Sequence, residues 1–287
     1  MKQALGVVVV TYNSAAVIKE ALQSIDEDVN CVVVDNCSTD DTVDRALACG
    51  AQVVRLDANQ GFGAACNIGA YTLNTPFVLF LNPDARLRPG ALRHLVEAAL
   101  ERPEWVAVNP QFRTSQGNQW YRRKSLLLTS DANRRLKQPP SGRQEIEVIS
   151  GATLLVRRNP FLELGGFDEN IFLYFEDDDL AVRVKKAGWK LGYAGDAVVE
   201  HIGNSSSQWT PHIEELKSYH FMKSAIYVTT KHGVKFNLRK KLYTSYLNWL
   251  IAACFNSTQG RAKYSGYIRA ILEASSVAPV RGRIFSL

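Results

Sequence analysis

Five short runs of Val, Ile, Leu and Phe punctuate the first 110 residues, with helical patterns between them. The runs at 5–10, 31–35, 52–56, 77–81 and 105–109 predict buried strands. Ser14 stands where it would cap a helix over 15–25, "STDDTVDRALACG" reads as a capped helix ending on Gly50, and 61–73 and 89–101 carry helical spacing. Strands this continuously apolar, alternating with helices, predict an α/β fold with a mainly parallel sheet covered on both faces. Order resumes at "EVISGATLLVRR", a strand, and "FEDDDLAVRVKKAG", a helix, and "WKLGYAGDAVVEH" predicts two short strands around a turn. Between 113 and 145 the chain is polar, basic and poorly periodic, which predicts a mobile excursion; beyond Trp209 the pattern is helical and basic.

The 287 residues, 46% apolar and 22% charged, suffice for a full-sized core in one large domain with an appendage. The expected division is an α/β domain at 1–209, with one half at about 1–110 and a second at about 146–209, followed by a basic helical region at 210–287. Net charge is +6, unevenly spread: from Thr210 onward twelve Lys/Arg face three acids, leaving the preceding part at −3. A basic tail on a slightly acidic body points to an anionic partner near that tail. Five cysteines without ligand spacing read as reduced core thiols of a cytoplasmic protein. The apolar run at 4–10 lacks a cleavage site and reads as a strand, and no stretch reaches the ~18 apolar residues of a spanning helix.

The strand tips are polar. The first ends in Thr11-Tyr12-Asn13, the second in Asp35-Asn36-Cys37-Ser38, the fourth in Asn82-Pro83-Asp84. Any one of these could merely cap or turn the chain. Three together, at the carboxyl ends of one sheet, point to a shared crevice. The acids Glu176 to Asp179 also suit a helix start, but helical geometry separates them. Asp179 precedes Arg183 by four residues, predicting a solvated ion-pair face. Asp177 precedes Leu180 by three and Val184 by seven, placing a carboxylate on the inward face with Glu176 at its border. Four adjacent acids repel, raising at least one pKa.

The fragments "VVVTYNSA", "VVVDNCSTDDT", "NQGFGAACNIGA", "FLNPDARL", "SGATLLVRR", "GGFDENIFLYFEDDDLAVRVKKAGW" and "VVEHIGNSS", in this order over residues 5–207, resemble the family 2 glycosyltransferases, inverting enzymes of the GT-A fold. The "NPD" and "FEDDDL" forms are most similar to rhamnosyltransferase-like members. The resemblance implies a divalent metal, Mg2+ or Mn2+, held by Asp84 and His201 against a donor diphosphate. Asn82 replaces the first acid of the usual Asp-x-Asp; it would offer its amide oxygen, or bond the ribose or a metal-bound water. It further implies that Thr11, Tyr12 and Asn13 line the nucleoside pocket and that Asp35 accepts from the ring N–H of uracil or thymine. Gly61, Gly63 and Asn67, with Gly151 and Ala152, would approach the diphosphate or sugar, although the glycines also suit tight helix packing. Asp177 would be the catalytic base, with Glu176 beside it as neighbour or acceptor-binding group, and Asp168, Phe172 and Tyr174 would shape the sugar and acceptor pocket.

The implied reaction moves a sugar, rhamnose by resemblance, from a dTDP- or UDP-sugar to a growing bacterial surface glycan. Two alternatives remain. A sugar nucleotidyltransferase would want a Gly-rich basic grip after the first strand, where Thr-Tyr-Asn stands instead. A catalytically inactive nucleotide- or glycan-binding scaffold is suggested by Asn82 and opposed by Asp84 and Asp177. The aromatic and basic residues of the tail fall at helical spacing, which speaks against nucleic acid. Residues 236–252 place Leu242, Tyr246, Trp249 and Leu250 near one face, for packing on the catalytic domain, for a homodimer, or for peripheral contact with the inner face of the cytoplasmic membrane, where a lipid-linked acceptor would lie.

Overall fold

The computed structural model describes residues 1–122, 124–135, 138–201 and 209–276. Two compact units divide the chain: Met1–Phe172 with Glu176–Gln208, and Leu173–Phe175 with Trp209–Leu287.

The first unit is built on one sheet of ten strands. These are β1 (Leu5–Thr11), β2 (Asn30–Asp35), β3 (Gln52–Arg55), β4 (Phe77–Leu81), β5 (Ala85–Leu87), β6 (Trp105–Arg113), β7 (Gln119–Trp120), β8 (Arg143–Glu145), β9 (Thr153–Arg157) and β10 (Lys190–His201). The path runs β3-β2-β1-β4-β9-β6-β10-β5, with β7 on β6 and β8 on β10. The first four strands are parallel, whereas β9 runs antiparallel between β4 and β6. "WKLGYAGDAVVEH" forms one strand, not two: its register slips between Ala194 and Val198, so the predicted turn is a bulge inside β10.

Alternate residues of each strand feed the two faces. Val7, Val9, Val33 and Leu79 pack with Ile18, Leu92 and Leu95 of the helices α1 (Ile18–Gln23) and α4 (Ala91–Glu101). Val8, Val32, Val78 and Phe80 pack with Ala65 and Ala70 of α3 (Phe62–Thr72) and Leu180 and Val184 of α7 (Glu176–Lys186). The remaining helices of this unit are α2 (Thr42–Ala48), α5 (Ser130–Arg135) and α6 (Arg158–Glu163). α1 starts three residues later than expected, and Ser14 does not cap it by side chain; its carbonyl accepts from Val17 and Ile18. The excursion 113–145 is structured: it holds β7, α5 and β8. Of the five free cysteines only Cys66 is buried, while Cys49 and Cys254 are exposed, so the expectation of core thiols holds for one.

The second unit comprises α8 (Pro211–Lys231), α9 (Leu238–Cys254) and α10 (Thr258–Ser276). Thr210 caps α8 and Asn237 caps α9 through side-chain oxygens. Met222, Ala270 and Ile271 form its core, with Leu242 and Tyr267 packed against them. Among the described residues no helix is long and apolar enough to cross a membrane.

Candidate active site

The tips of β1 and β2 are stitched together. Thr11 and Asp35 are fully buried, and the Thr11 hydroxyl donates to Asp35 Oδ1 at 3.1 Å. Asp35 Oδ2 accepts from the Ser38 amide at 3.1 Å. Asn13, at φ 50°, accepts from the Thr39 amide at 2.8 Å and donates its own N–H to Ser38 Oγ at 2.9 Å. These bonds hold the loop while Tyr12 stays 48% exposed, a free aromatic face at the sheet's carboxyl edge.

At the tip of β4, the Ala85 amide closes a turn onto the Asn82 carbonyl, and the Asn82 amide bonds the Ala152 carbonyl, both at 3.0 Å. Asp84 is buried, and its Oδ1 lies 3.4 Å from His201 Nε2, delivered by the end of β10 where it pairs with β5. The rest of the "VVEHIGNSS" stretch, 202–206, lies outside the described residues. Asn82 Oδ1 is buried without a hydrogen-bond partner. A carboxylate, an imidazole and an orphaned amide oxygen at one tip form a donor set that suits magnesium or manganese. Among the described residues no three His, Cys, Asp or Glu side chains gather to hold an ion alone. These three protein donors would leave coordination positions open for phosphate and water.

The Ala152 link leads directly to the acid cluster. Gly151 donates its N–H to Asp177 Oδ2 at 3.1 Å, and a side chain at Gly151 would meet Glu176 Oε1 at 3.5 Å. Glu176, Asp177, Asp178 and Asp179 are all buried. Arg122 bridges two of them, Nη1 to Asp177 Oδ2 at 2.7 Å and Nη2 to Asp178 Oδ2 at 2.5 Å, while Nη1 also reaches the Ile149 carbonyl at 3.1 Å. Burial, reinforced by the charge on Asp177, pushes the Glu176 carboxyl up to about 8. Burial likewise lifts Asp178 to about 6, against the lowering pull of Arg122. Glu176 Oε2 has no hydrogen-bond partner.

Asp179 contradicts the expected solvated face. It is fully buried and accepts from Arg183 Nε at 2.7 Å, while the other guanidinium nitrogens bond the carbonyls of Leu164 and Gly166. The i,i+4 pair exists as predicted, but the 164–166 turn covers it, so it is structural rather than solvated.

Three further assignments change. The Gly61 N–H already donates to Asn59 Oδ1, and its φ of 91° and the Phe172 carbonyl, 2.4 Å from where a Cβ would sit, account for the glycine. A side chain at Gly63 would strike Phe167. Asn67 is buried and clamps the backbone of Phe167 through both its oxygen and nitrogen, at 2.8 and 2.9 Å. All three hold the 166–172 segment against α3, the packing role that the glycines were also expected to suit. Phe172 takes part through its carbonyl, which accepts from Phe62. Asp168 accepts from the amide and side chain of Asn170 in a local turn. Tyr174 belongs to the second unit, where its ring meets Phe221.

Two residues that the sequence did not single out stand beside those it did. Arg122 sits in the polar excursion; four adjacent acids demand a cation, but nothing in spacing tells which one answers. Trp120 lies 6.4 Å, ring to ring, from His201. Arg122 and Trp120 line a cavity of about 400 Å³, with Tyr121, Ile149, Ser150 and Tyr193.

A doubly covered sheet carries an Asp/His pair at one strand tip and buried carboxylates beside it, an architecture of the GT-A type. The comparisons agree. The family model "Glycosyl transferase family 2" matches residues 6–165, so the chain belongs to glycosyltransferase family 2 and is a rhamnosyltransferase-like glycosyltransferase. It is 30% identical to the N-acetylglucosaminyl-diphospho-decaprenol L-rhamnosyltransferase of Mycobacterium tuberculosis, over 81% of this chain and 86% of that one. It is 27% identical to the O-antigen chain rhamnosyltransferase RfbN of Salmonella typhimurium, over 74% and 69%. The fold matches the mannosyltransferase PcManGT of Pyrobaculum calidifontis, solved with GDP-Man and Mn2+, at TM-score 0.59 and 18% identity, over 98% of this chain and 77% of that one.

Proposed function

We propose that this glycosyltransferase moves L-rhamnose from dTDP-rhamnose, with inversion, to a hydroxyl of a growing bacterial surface glycan carried on a lipid diphosphate at the cytoplasmic face of the membrane. The observation that carries the reading is the joined pair of sites: Asp84, His201 and the orphaned Asn82 oxygen on one side, Asp177 and Glu176 on the other, tied through Gly151 and Ala152. The names of the two rhamnosyltransferase relatives support the sugar, and the decaprenol-linked substrate in one name supports a lipid-linked acceptor.

Asp84 and His201 would hold magnesium or manganese, with Asn82 completing the protein side. The ion, when bound, supplies positive charge to the departing diphosphate. Tyr12 offers its exposed ring to the base, with Thr11 and Asn13 fixing the loop beneath it. Asp35 would reach a pyrimidine N–H only with a lone pair left over from Thr11 and Ser38. The backbone at 151–152, between the two sites, would border the donor sugar.

The acceptor oxygen attacks the anomeric carbon as the bond from that carbon to the diphosphate breaks, and the hydroxyl proton passes to a carboxylate. Asp177 is the base in this reading, oriented by Arg122, by the Gly151 N–H and by the Asp178 amide at 2.8 Å. Burial holds the Glu176 carboxyl up at about 8, which favours its protonated form and suits it to donate a hydrogen bond to a bound sugar rather than to accept the proton. The cavity beside Arg122, with the rings of Trp120, Tyr121 and Tyr193 in its wall, would take the acceptor sugar.

A panel of nucleotide sugars, incubated with enzyme and acceptor glycan with and without manganese, tests the reading. Metal-dependent release of dTDP from dTDP-rhamnose, lost in Asp84→Ala, is expected. Equal activity in EDTA would remove the metal, and donor binding without turnover on any acceptor would favour a binding scaffold.

A further inference from the structure

Helix α9 turns one face inward and leaves the other uncovered. Leu242 packs in the small core, Ser245 and Ala252 are buried, and Trp249 Nε1 donates to Ser265 Oγ at 3.1 Å. The predicted stripe of Leu242, Tyr246, Trp249 and Leu250 is therefore split between two faces. The outward face carries Tyr243, Tyr246, Leu247, Leu250, Ile251 and Phe255, exposed by between 45% and 81%. Steps of three, one, three, one and four place these on a single side of the helix. Scattered exposed apolar residues are ordinary; six on one stripe are a patch that something covers.

Charge decides what covers it. No Asp or Glu occurs anywhere from Leu216 to Leu272, a stretch containing ten Lys and Arg residues. Lys235, Arg239 and Lys240 are exposed at the stripe's amino end. A second copy would press this acid-free basic surface against itself, whereas an anionic bilayer offers both the opposite charge and an apolar bed. The 17 residues of α9 rise about 25 Å, short of the ~30 Å hydrocarbon core, and carry Arg239, Lys240 and Lys241 in the first turn after Leu238. Such a helix lies in the interface, its aromatic rings at headgroup level and its aliphatic residues just beneath.

We propose that α9 is a peripheral membrane anchor that lays its Tyr243–Phe255 stripe into an anionic lipid surface, with Lys235, Arg239 and Lys240 pairing with headgroups. The anchor goes beyond the sugar-transfer reading, and vesicle binding requires neither donor nor acceptor.

Co-sedimentation of the full chain with vesicles tests it. Equimolar phosphatidylglycerol and phosphatidylcholine at low salt should pellet the protein, and pure phosphatidylcholine or high salt should leave most of it in the supernatant. The double variant Leu250→Gln/Ile251→Gln, at two positions about half exposed, should weaken binding about tenfold, each lost apolar contact contributing. Leu100→Gln, equally exposed but on α4, should bind as the wild type does. Wild-type protein remaining in the supernatant with anionic vesicles, or the α9 double variant binding normally, would overturn the proposal. So would lipid-free self-association that the double variant abolishes, which would assign the face to a second copy.

Discussion

Arg122→Met would remove the guanidinium that holds two of the four buried acids. The side chains of Arg122, Asp177 and Asp178 are 24%, 12% and 1% exposed, so solvent does little to replace the lost charge. Removing one partner of a buried ion pair costs about 3–5 kcal/mol where the stranded carboxylates remain ionised. Protonation relieves that penalty. Asp178 already gains its proton near 6, and without Arg122 to oppose burial it would do so at higher pH. The variant's folded state therefore holds more protons than that of the wild type, and its deficit grows with pH. At pH 5 the loss should shrink to about 1–2 kcal/mol, and at pH 8 it should reach the full ~3–5 kcal/mol. Urea unfolding of both proteins across this range measures the difference directly. A deficit below about 1 kcal/mol that does not change with pH would refute the bridging role of Arg122.

Asp179→Asn leaves Arg183 with two carbonyls and no carboxylate, and should destabilise the fold by about 2–4 kcal/mol in chemical denaturation. Glu176 has a folded pKa of about 8 against an ordinary 4.5, so the folded state binds its proton more tightly than the unfolded chain. That stabilisation is complete below 4.5 and is lost as pH rises through 8; Asp178 behaves alike between 3.8 and about 6. Wild-type stability should thus fall by a few kcal/mol from pH 5 to 8.5, and Glu176→Gln should flatten the decline and be the more stable protein at the alkaline end. An unchanged slope in Glu176→Gln would show that another group carries the titration.

The strands and most helices were legible because each burial pattern is local: an all-apolar run such as 77–81 has to lie between two neighbours. The proximity of Asp84 and His201 was expected only from the family resemblance, not from the residues themselves. What escaped depended on contacts far apart in sequence. Arg122 meets Asp177 from 55 residues away, out of a segment without periodicity, so the excursion read as mobile. Asp179 read as solvated because helical spacing gives a face but not what covers it. Gly61, Gly63 and Asn67 read as ligand contacts because a glycine near a strand tip signals close approach without saying to what; here it is Phe172 and Phe167. The antiparallel insertion of β9 was equally hidden, since a buried strand looks the same in either direction.

The claim on which the rest depends is that Asp177 takes the acceptor's proton opposite the metal-binding tip. Turnover and donor affinity, measured side by side for wild type and Asp177→Asn with dTDP-rhamnose and a prenyl-diphosphate-linked acceptor, test it. The substitution keeps size but cannot take a proton, and its amide nitrogen cannot accept the bonds that one Asp177 oxygen receives, so kcat should fall about 10²–10⁴-fold while donor affinity stays within about twofold. Near-normal turnover by Asp177→Asn, with the loss appearing instead in Glu176→Gln, would contradict the account and move the base one residue towards the N-terminus.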